Sequence, residues 1–585
     1  MKNKILSLTL DKNLFQKKPK KISYYGIFDE KLQKEFRNLN YIDELNDKYC
    51  PKETIRDLSY CEKIYNRILK ELTTRLNKFH NCAFSQKEWQ IIFGNWLFQF
   101  ICIVFRKYKS ILVLINKNEF KNIYVNFSDQ FTPSPDIFHL HSVTNQREWN
   151  ERLTSKIIKF LANKKKINLI NLNTKSKKIN YDNFISDKFL TSSKFSHLQF
   201  LDKLNLNKKK NFLIYQTSLG FLNEKKLEIK LSQFPNDWHF PLINLSETVN
   251  EKIRNNLFKL KIINNNFNSL ILNLLPRYFS SRYIENFSKI MKNIDKLNLP
   301  KKPKFILTSN IHANILFNFY IMRKKKENKT KLILLQHGNN SSIDLKYKYS
   351  LEYKVADHFL TWGHKNSKKD IKLFNTHSIR IKKKKYNSNL SKFGIFLHPL
   401  RQHPLFCDLS ERTQNIIRFK KLINKINEKL NYNIKKNTYV KLFPADYSKD
   451  KLNLQKSLKK CKLKIYSNPN PYDLINESRL NFFLYLSTGV FETLSMNRPT
   501  VVYSPQILGT IDRKYKKFFR LLYNSKILFN SIDDLLLHVD NVWPNINKWW
   551  LDKKVQSSIK KFNDNLNVSG SNNLNFIERK LNAFT

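Results

Sequence analysis

The sequence predicts an α/β protein of two doubly wound, Rossmann-like domains facing across a cleft, with a helical elaboration at the N-terminus. Three observations carry that expectation. Short apolar runs alternate with helical patterns from Lys304 to Gly363 and again from Phe393 to Tyr503, as strands and crossover helices of parallel sheets do. A charged stretch, Arg380 to Lys392, separates the two series. At 585 residues, the chain also exceeds what one ordinary core accommodates. The sequence therefore divides into an N-terminal α/β domain over 1–379, a linker over 380–392, a second α/β domain over 393–543, and a closing helix and tail over 544–585.

Taken in order, the elements begin with an amphipathic helix. Leu58, Cys61, Ile64, Tyr65, Ile68, Leu69, Leu72 and Leu76 recur at helical spacing. Ser85-Gln86-Lys87-Glu88 forms a capping-box pattern, so a second helix follows it through the apolar run Ile91 to Phe105. Leu112 to Ile115 reads as a buried strand. From about Trp149 to Pro300 the sequence is rich in Lys and Asn and specifies no element clearly. Phe305 to Leu307 is then a strand, His312 to Arg323 a helix, Lys331 to Leu335 a strand, Leu351 to Val355 a helix, and His358 to Thr361 a strand ending at Trp362-Gly363. After the linker, strands are expected at Phe393–Leu397, Tyr439–Phe443, Leu463–Tyr466, Asn481–Leu486 and Thr500–Tyr503. Ser410 caps a helix running to about Leu430, and another runs from about Ile546 to Phe562.

The charge is extreme: 106 basic minus 47 acidic residues gives +59. Nucleic acid is the first partner this suggests. The lysines, however, are scattered along the whole chain, and no zinc finger, aromatic ribonucleoprotein signature or basic zipper accompanies them. No nucleic-acid partner is expected. A surface of this kind favours phosphorylated ligands and peripheral contact with anionic membranes. The six cysteines have neither metal-ligand spacing nor a dense disulfide framework, which suits a reducing cytoplasm. The basic start Met1–Ile5 does not make a signal peptide, because its apolar stretch breaks at Asp11. Ile91 to Phe105 is too short to span a bilayer.

Ligands of open parallel sheets collect at the carboxyl ends of the strands, and the candidate site residues all fall there. His337, flanked by Gln336 and Gly338, leaves the strand Lys331–Leu335 and is the candidate base for an acceptor hydroxyl. The plainer alternative is a strand-end histidine bonding a neighbouring loop. Ser487, Thr488 and Gly489 open a helix, where free amides and the dipole favour a phosphate, or where a hydroxyl simply caps the helix. Glu492, one turn on, is a candidate partner for a ribose diol, or else a carboxylate well placed in a first turn. Thr308, Ser309 and Asn310 line the neighbouring strand end. Lys441, His398 and Arg401 are candidate donor-phosphate contacts. His398 and His403 have no carboxylate at useful spacing, so neither a metal nor a cofactor is expected.

Thr308-Ser309-Asn310, Gln336-His337-Gly338 and Thr361-Trp362-Gly363, in that order, resemble a bacterial family of transferases encoded in O-antigen and surface-polysaccharide gene clusters. The resemblance extends to Ser85–Phe105, Val440–Tyr447, Leu486–Pro499 and Trp549-Trp550 with Gln556. His337-Gly338 is more distantly similar to the His-Gly element of the glycerophosphotransferases that polymerise teichoic acid. Both resemblances imply the glycosyltransferase-B architecture. They imply transfer of a sugar from a nucleotide-activated donor, a co-substrate, to a lipid-linked or growing glycan in O-antigen or capsule assembly, in the cytoplasm or at the inner face of its membrane. The alternatives are a glycerol- or ribitol-phosphate transferase and a non-catalytic polysaccharide-assembly protein. Two departures stand out: Asn339 to Ile343 replaces a glycine-rich loop with a Tyr-Gly pair, and Lys441 replaces an arginine.

Overall fold

The computed structural model describes residues 4–9, 22–26, 40–43, 50–117, 120–127, 133, 136–144, 146–165, 167–172, 211–238, 240–241, 243, 245, 248–261, 266–312, 314–338, 343–380, 386–387, 389–397, 416–442, 451–570 and 574–584. They form two compact units, the first from Met1–Leu190, Leu242–Asp295 and Leu400–Ile416, the second from Thr191–Pro241, Lys296–Pro399 and Ile417–Thr585. The fold is α/β with three parallel sheets, where two were expected.

The additional sheet lies in the first unit. Its strands are β1 (Lys4–Ser7), β2 (Ile22–Gly26), β3 (Asn40–Asp43), β4 (Phe120–Val125) and β5 (Asn168–Asn171), all parallel, in the doubly wound order 3-2-1-4-5. These runs of four to six residues carry Lys, Ser and Asn, so their apolar signal is weak. The helix Pro51–His80 forms where the periodic apolar residues predict it and buries Leu58, Cys61, Ile64, Tyr65 and Leu72. Its rings meet those of the helix Asn95–Lys117, with Tyr60 5.0 Å from Phe105 and Tyr65 5.5 Å from Phe98. The capping box forms as expected: Ser85 Oγ accepts from Glu88 N, and Glu88 Oε2 accepts from Ser85 N. Leu112 to Ile115, expected as a strand, instead ends the helix Asn95–Lys117. Nothing between Phe105 and Leu112 breaks a helix, and Ile111, Leu114 and Ile115 lie on one buried face at helical spacing.

The second unit holds two sheets. The first contains β6 (Phe212–Ile214), β7 (Phe305–Thr308), β8 (Lys331–Leu335), β9 (His358–Thr361) and β10 (Asp370–Lys372). They run parallel in strictly sequential order, so this sheet is not doubly wound in its described strands. The second contains β11 (Lys392–Phe396), β12 (Thr438–Lys441), β13 (Lys464–Ile465), β14 (Ser478–Phe483), β15 (Thr500–Tyr503) and β16 (Leu528–Phe529), in the order 13-12-11-14-15-16. That is the doubly wound arrangement, with its reversal between β11 and β14. Central strands such as β7 are buried on both faces, which is why they read as unbroken apolar runs. The expected helix ending near Leu430 spans Ile416–Lys429, while Ser410 lies outside the described residues. The expected closing helix is two helices, Ile546–Trp550 and Lys553–Leu566, because Asp552 caps the second with its own carboxylate.

Beyond Leu566 the chain returns to the sequential sheet. Val568 N donates to Trp362 O at 3.0 Å, and Asn375 N donates to Val568 O at 2.7 Å. The helix Leu574–Asn582 then places Ile577 and Leu581 in the same core as Phe212, Phe305, Ile333 and Leu360. Among the described residues no helix is long and apolar enough to cross a membrane, and Cys50, Cys61, Cys82, Cys102 and Cys461 form no disulfide.

Candidate functional site

Gln336 leaves β8 and is buried, with both the nitrogen and the oxygen of its amide bonded. Its Nε2 donates to Gly338 O at 2.8 Å, and its Oε1 accepts from Trp362 N at 2.9 Å. Trp362 Nε1 returns a bond to Gln336 O at 3.1 Å. This doubled link fixes the backbone from which His337 projects into solvent. Glu352, on the helix Leu351–Val355, is close enough to feel the His337 charge. Burial raises the Glu352 carboxyl above its ordinary value; His337 and the backbone N–H of Ile311 offset part of that rise.

The neighbouring strand end is held mostly by bonds within the fold. Thr308 Oγ1 donates to Asn310 O and accepts from Asn310 N, closing a tight turn. Ser309 Oγ accepts from Ser218 N at 2.9 Å, and Ser218 Oγ lies 2.5 Å from Thr376 Oγ1. Thr308 and Ser309 are buried; Asn310 is half-buried, with Oδ1 accepting from His312 N.

The second group sits at the reversal of the doubly wound sheet. β14 runs into the helix Thr488–Ser495, with Ser487 at its N-cap. Ser487 is buried, yet its hydroxyl makes no capping bond. The first turn therefore keeps unsatisfied donors at a dipole end that favours anions. Gly489 is closely packed: a methyl there would lie 3.0 Å from the Phe483 ring and 3.3 Å from Ser487 Oγ. Lys441, at the end of β12, is buried; its ammonium donates to Asn468 O and lies over the Tyr466 ring. His398 and Arg401 lie outside the described residues, as does most of the altered loop, 339–342.

Glu492 is the contact through which the two sheets of this unit share a polar cluster. Its Oε1 accepts from Tyr472 OH at 2.9 Å and lies 3.0 Å from His377 Nδ1. Burial, and then the Glu492 charge, push the Tyr472 hydroxyl well above its ordinary value, so it remains a donor. His377 belongs to the 3-10 turn Thr376–Arg380 that follows β10, and its ring meets Trp362 edge-on at 5.6 Å. Trp362 also lies 6.0 Å from Phe491, beside Glu492 on the same helix. The chain Gln336, Trp362, Phe491 thus connects the two motifs. The sequence reading missed His377, Tyr472, Arg380 and Glu352. His377 follows no apolar run that marks a strand; its signal is the Asn375 side chain, whose Oδ1 accepts from His377 N at 3.0 Å, a turn pattern.

Among the described residues no group of three His, Cys, Asp or Glu has the arrangement of a metal site. In chemical terms, the cluster offers an exposed imidazole on a braced strand end, an uncapped helix start, and a carboxylate paired with a second imidazole.

No curated protein is significantly similar to this chain in sequence. Seven chains of solved structure match it, among them the pneumococcal O-GlcNAc transferase GtfA in complex with UDP and GlcNAc. That match has 10% identity and a TM-score of 0.27, covering 52% of this chain and 60% of GtfA, less than two thirds of that protein's length. The profile of the LIC12162 family transferases, by contrast, matches residues 4–581. The chain, an enzyme of the transferase class, belongs to the LIC12162 family.

Proposed function

We propose that the protein is a glycosyltransferase that moves a sugar from a nucleotide-activated donor to a lipid-linked or growing glycan in surface-polysaccharide assembly. The observation that carries this reading is the uncapped helix start at Ser487, at the reversal of a doubly wound sheet and linked through Phe491 and Trp362 to the His337 strand end. Ser487, Thr488 and Gly489 receive the donor phosphate, where fixed amides stabilise the charge that develops on the leaving group. His337 takes the proton of the acceptor hydroxyl as it attacks the sugar carbon, and Glu352 stabilises the imidazolium that results. Gln336 and Gly338 hold the loop in place, and Asn310 lines its flank. His398, Arg401 and Lys441 complete the donor side. The two sheets of the second unit act as facing lobes of the glycosyltransferase-B type. The reaction uses no metal or organic cofactor, and the surplus of lysine holds the enzyme peripherally at an anionic membrane face.

The test is mass spectrometry of the purified protein with nucleotide sugars and, in parallel, CDP-glycerol and CDP-ribitol. Hydrolysis or transfer of a nucleotide sugar is expected, with His337→Ala lowering turnover on the order of 100-fold or more. Turnover of only the CDP-polyols would replace glycosyl with phosphoryl transfer, and full activity in His337→Ala would remove the base.

A further inference from the structure

The two nitrogens of His377 have different surroundings. Nδ1 faces Glu492, while Nε2 is buried and meets no hydrogen-bond partner among the described residues. Leaving a buried polar atom unpaired is costly, so its retention points to a partner that is not part of the fold. Residues three apart eclipse one another in a 3-10 turn, which puts Arg380 on the same edge as His377. The Arg380 side chain is exposed and makes no hydrogen bond to another described residue. It passes over Gly220, where an added methyl would stand 3.3 Å from its Cδ and Nε. Glu224 feels the Arg380 charge without bonding to it, and one oxygen of each nearby carboxylate is already shared by two donors. Glu224 accepts from both Thr217 N and Thr217 Oγ1 at 2.7 Å, and Glu492 Oε1 is shared by Tyr472 and His377. Glu492 lies one turn beyond the uncapped start at Ser487, so this cationic edge and the open amides belong to one polar cluster.

We propose that His377 and Arg380, with the first turn at Thr488–Gly489, form a diphosphate-binding site in which Glu492 and Tyr472 are positioning residues. The Glu492 carboxylate stabilises the protonated imidazole at Nδ1, so that Nε2–H donates to a phosphate oxygen. Arg380 supplies the second cation and the planar fork suited to phosphate. Glu492 therefore acts through His377 and does not serve as a ribose ligand. This inference rests on the nucleotide-donor reading for the identity of the diphosphate, but not for the site itself.

Isothermal titration with UDP, GDP, CDP, ADP and inorganic pyrophosphate tests it, using the full chain and three variants. Glutamine places an amide N–H near the position of Nε2, and asparagine near that of Nδ1. His377→Gln should therefore keep affinity within about threefold, whereas His377→Asn and Arg380→Ala should each weaken it on the order of tenfold or more. Melting temperatures identify any variant that misfolds, and Arg380→Ala, at an exposed side chain, carries the test if His377→Asn does. Equal affinity in all variants overturns the site while leaving the donor reading intact. Pyrophosphate binding that depends on His377 and Arg380, without any nucleotide binding, upholds the site and overturns the donor reading. Binding of none of these probes by the unaltered protein overturns both.

Discussion

Glycine at 363 and glycine at 489 are needed for different reasons, and their substitutions should separate accordingly. Gly363 has φ +120°, a conformation side chains rarely adopt, and a methyl there would meet Val568 Cγ2 at 2.5 Å. Gly363→Ala combines backbone strain with overpacking and should cost about 3 kcal/mol of stability, read from the urea midpoint. At Gly489 a methyl would press on the Phe483 ring at 3.0 Å, a contact the ring relieves by a small shift, so Gly489→Ala should cost about 1 kcal/mol. It displaces the first-turn amides, however, and should weaken nucleoside diphosphate binding on the order of tenfold. At both positions the sequence reading saw a glycine after a strand but could not tell packing from ligand approach. The same holds nearby. Gln336, His337 and Ser487 are marked by the apolar runs that precede them. Thr308 and Ser309 look equally promising in sequence, yet their hydroxyls are taken up by Asn310 and Ser218, partners that only the fold brings close.

Helices were most legible where periodicity was long. Pro51–His80 follows its apolar spacing, whereas the short strands β1 to β3, rich in polar residues, could not be recognised without the parallel neighbours that pair them. The C-terminal end of that helix also predicts a pH response. His80 stacks on Phe287 at 4.0 Å, and its Nε2 lies 3.0 Å from Tyr283 O. Burial lowers its pKa from 6.5 to about 4. Between those values the unfolded chain binds a proton that the folded chain refuses, so stability rises with pH across this window and is lost as pH falls through it. The His80 contribution is on the order of 3 kcal/mol. Urea unfolding of His80→Gln from pH 4 to 7 should show a shallower dependence than the unaltered protein. An identical slope would mean that His80 titrates normally in the folded state.

The second unit is stitched together by residues far apart in sequence. Ile577 and Leu581 are fully buried in the core of the sequential sheet, although the whole doubly wound sheet intervenes in the chain. Ile577→Ala should cost about 2–5 kcal/mol. Hydrogen exchange should rise in β7, β8 and β9 and stay unchanged in the first unit; a uniform rise would show that the two units unfold together. The sequence reading ended its last helix near Phe562 and left Leu574–Asn582 in the tail, because so short an amphipathic segment does not name the surface it covers.

The return of the Leu574–Asn582 helix to a sheet whose last strand ends at Lys372 sets an order of events during synthesis. About 200 residues must leave the ribosome between those two points, which at ordinary elongation rates is on the order of 10–40 s. Throughout that interval the nascent sheet has an apolar flank with nothing to cover it. A chaperone that shields such flanks should therefore raise the yield of folded enzyme more than it would for a protein whose layers close in the order they are made.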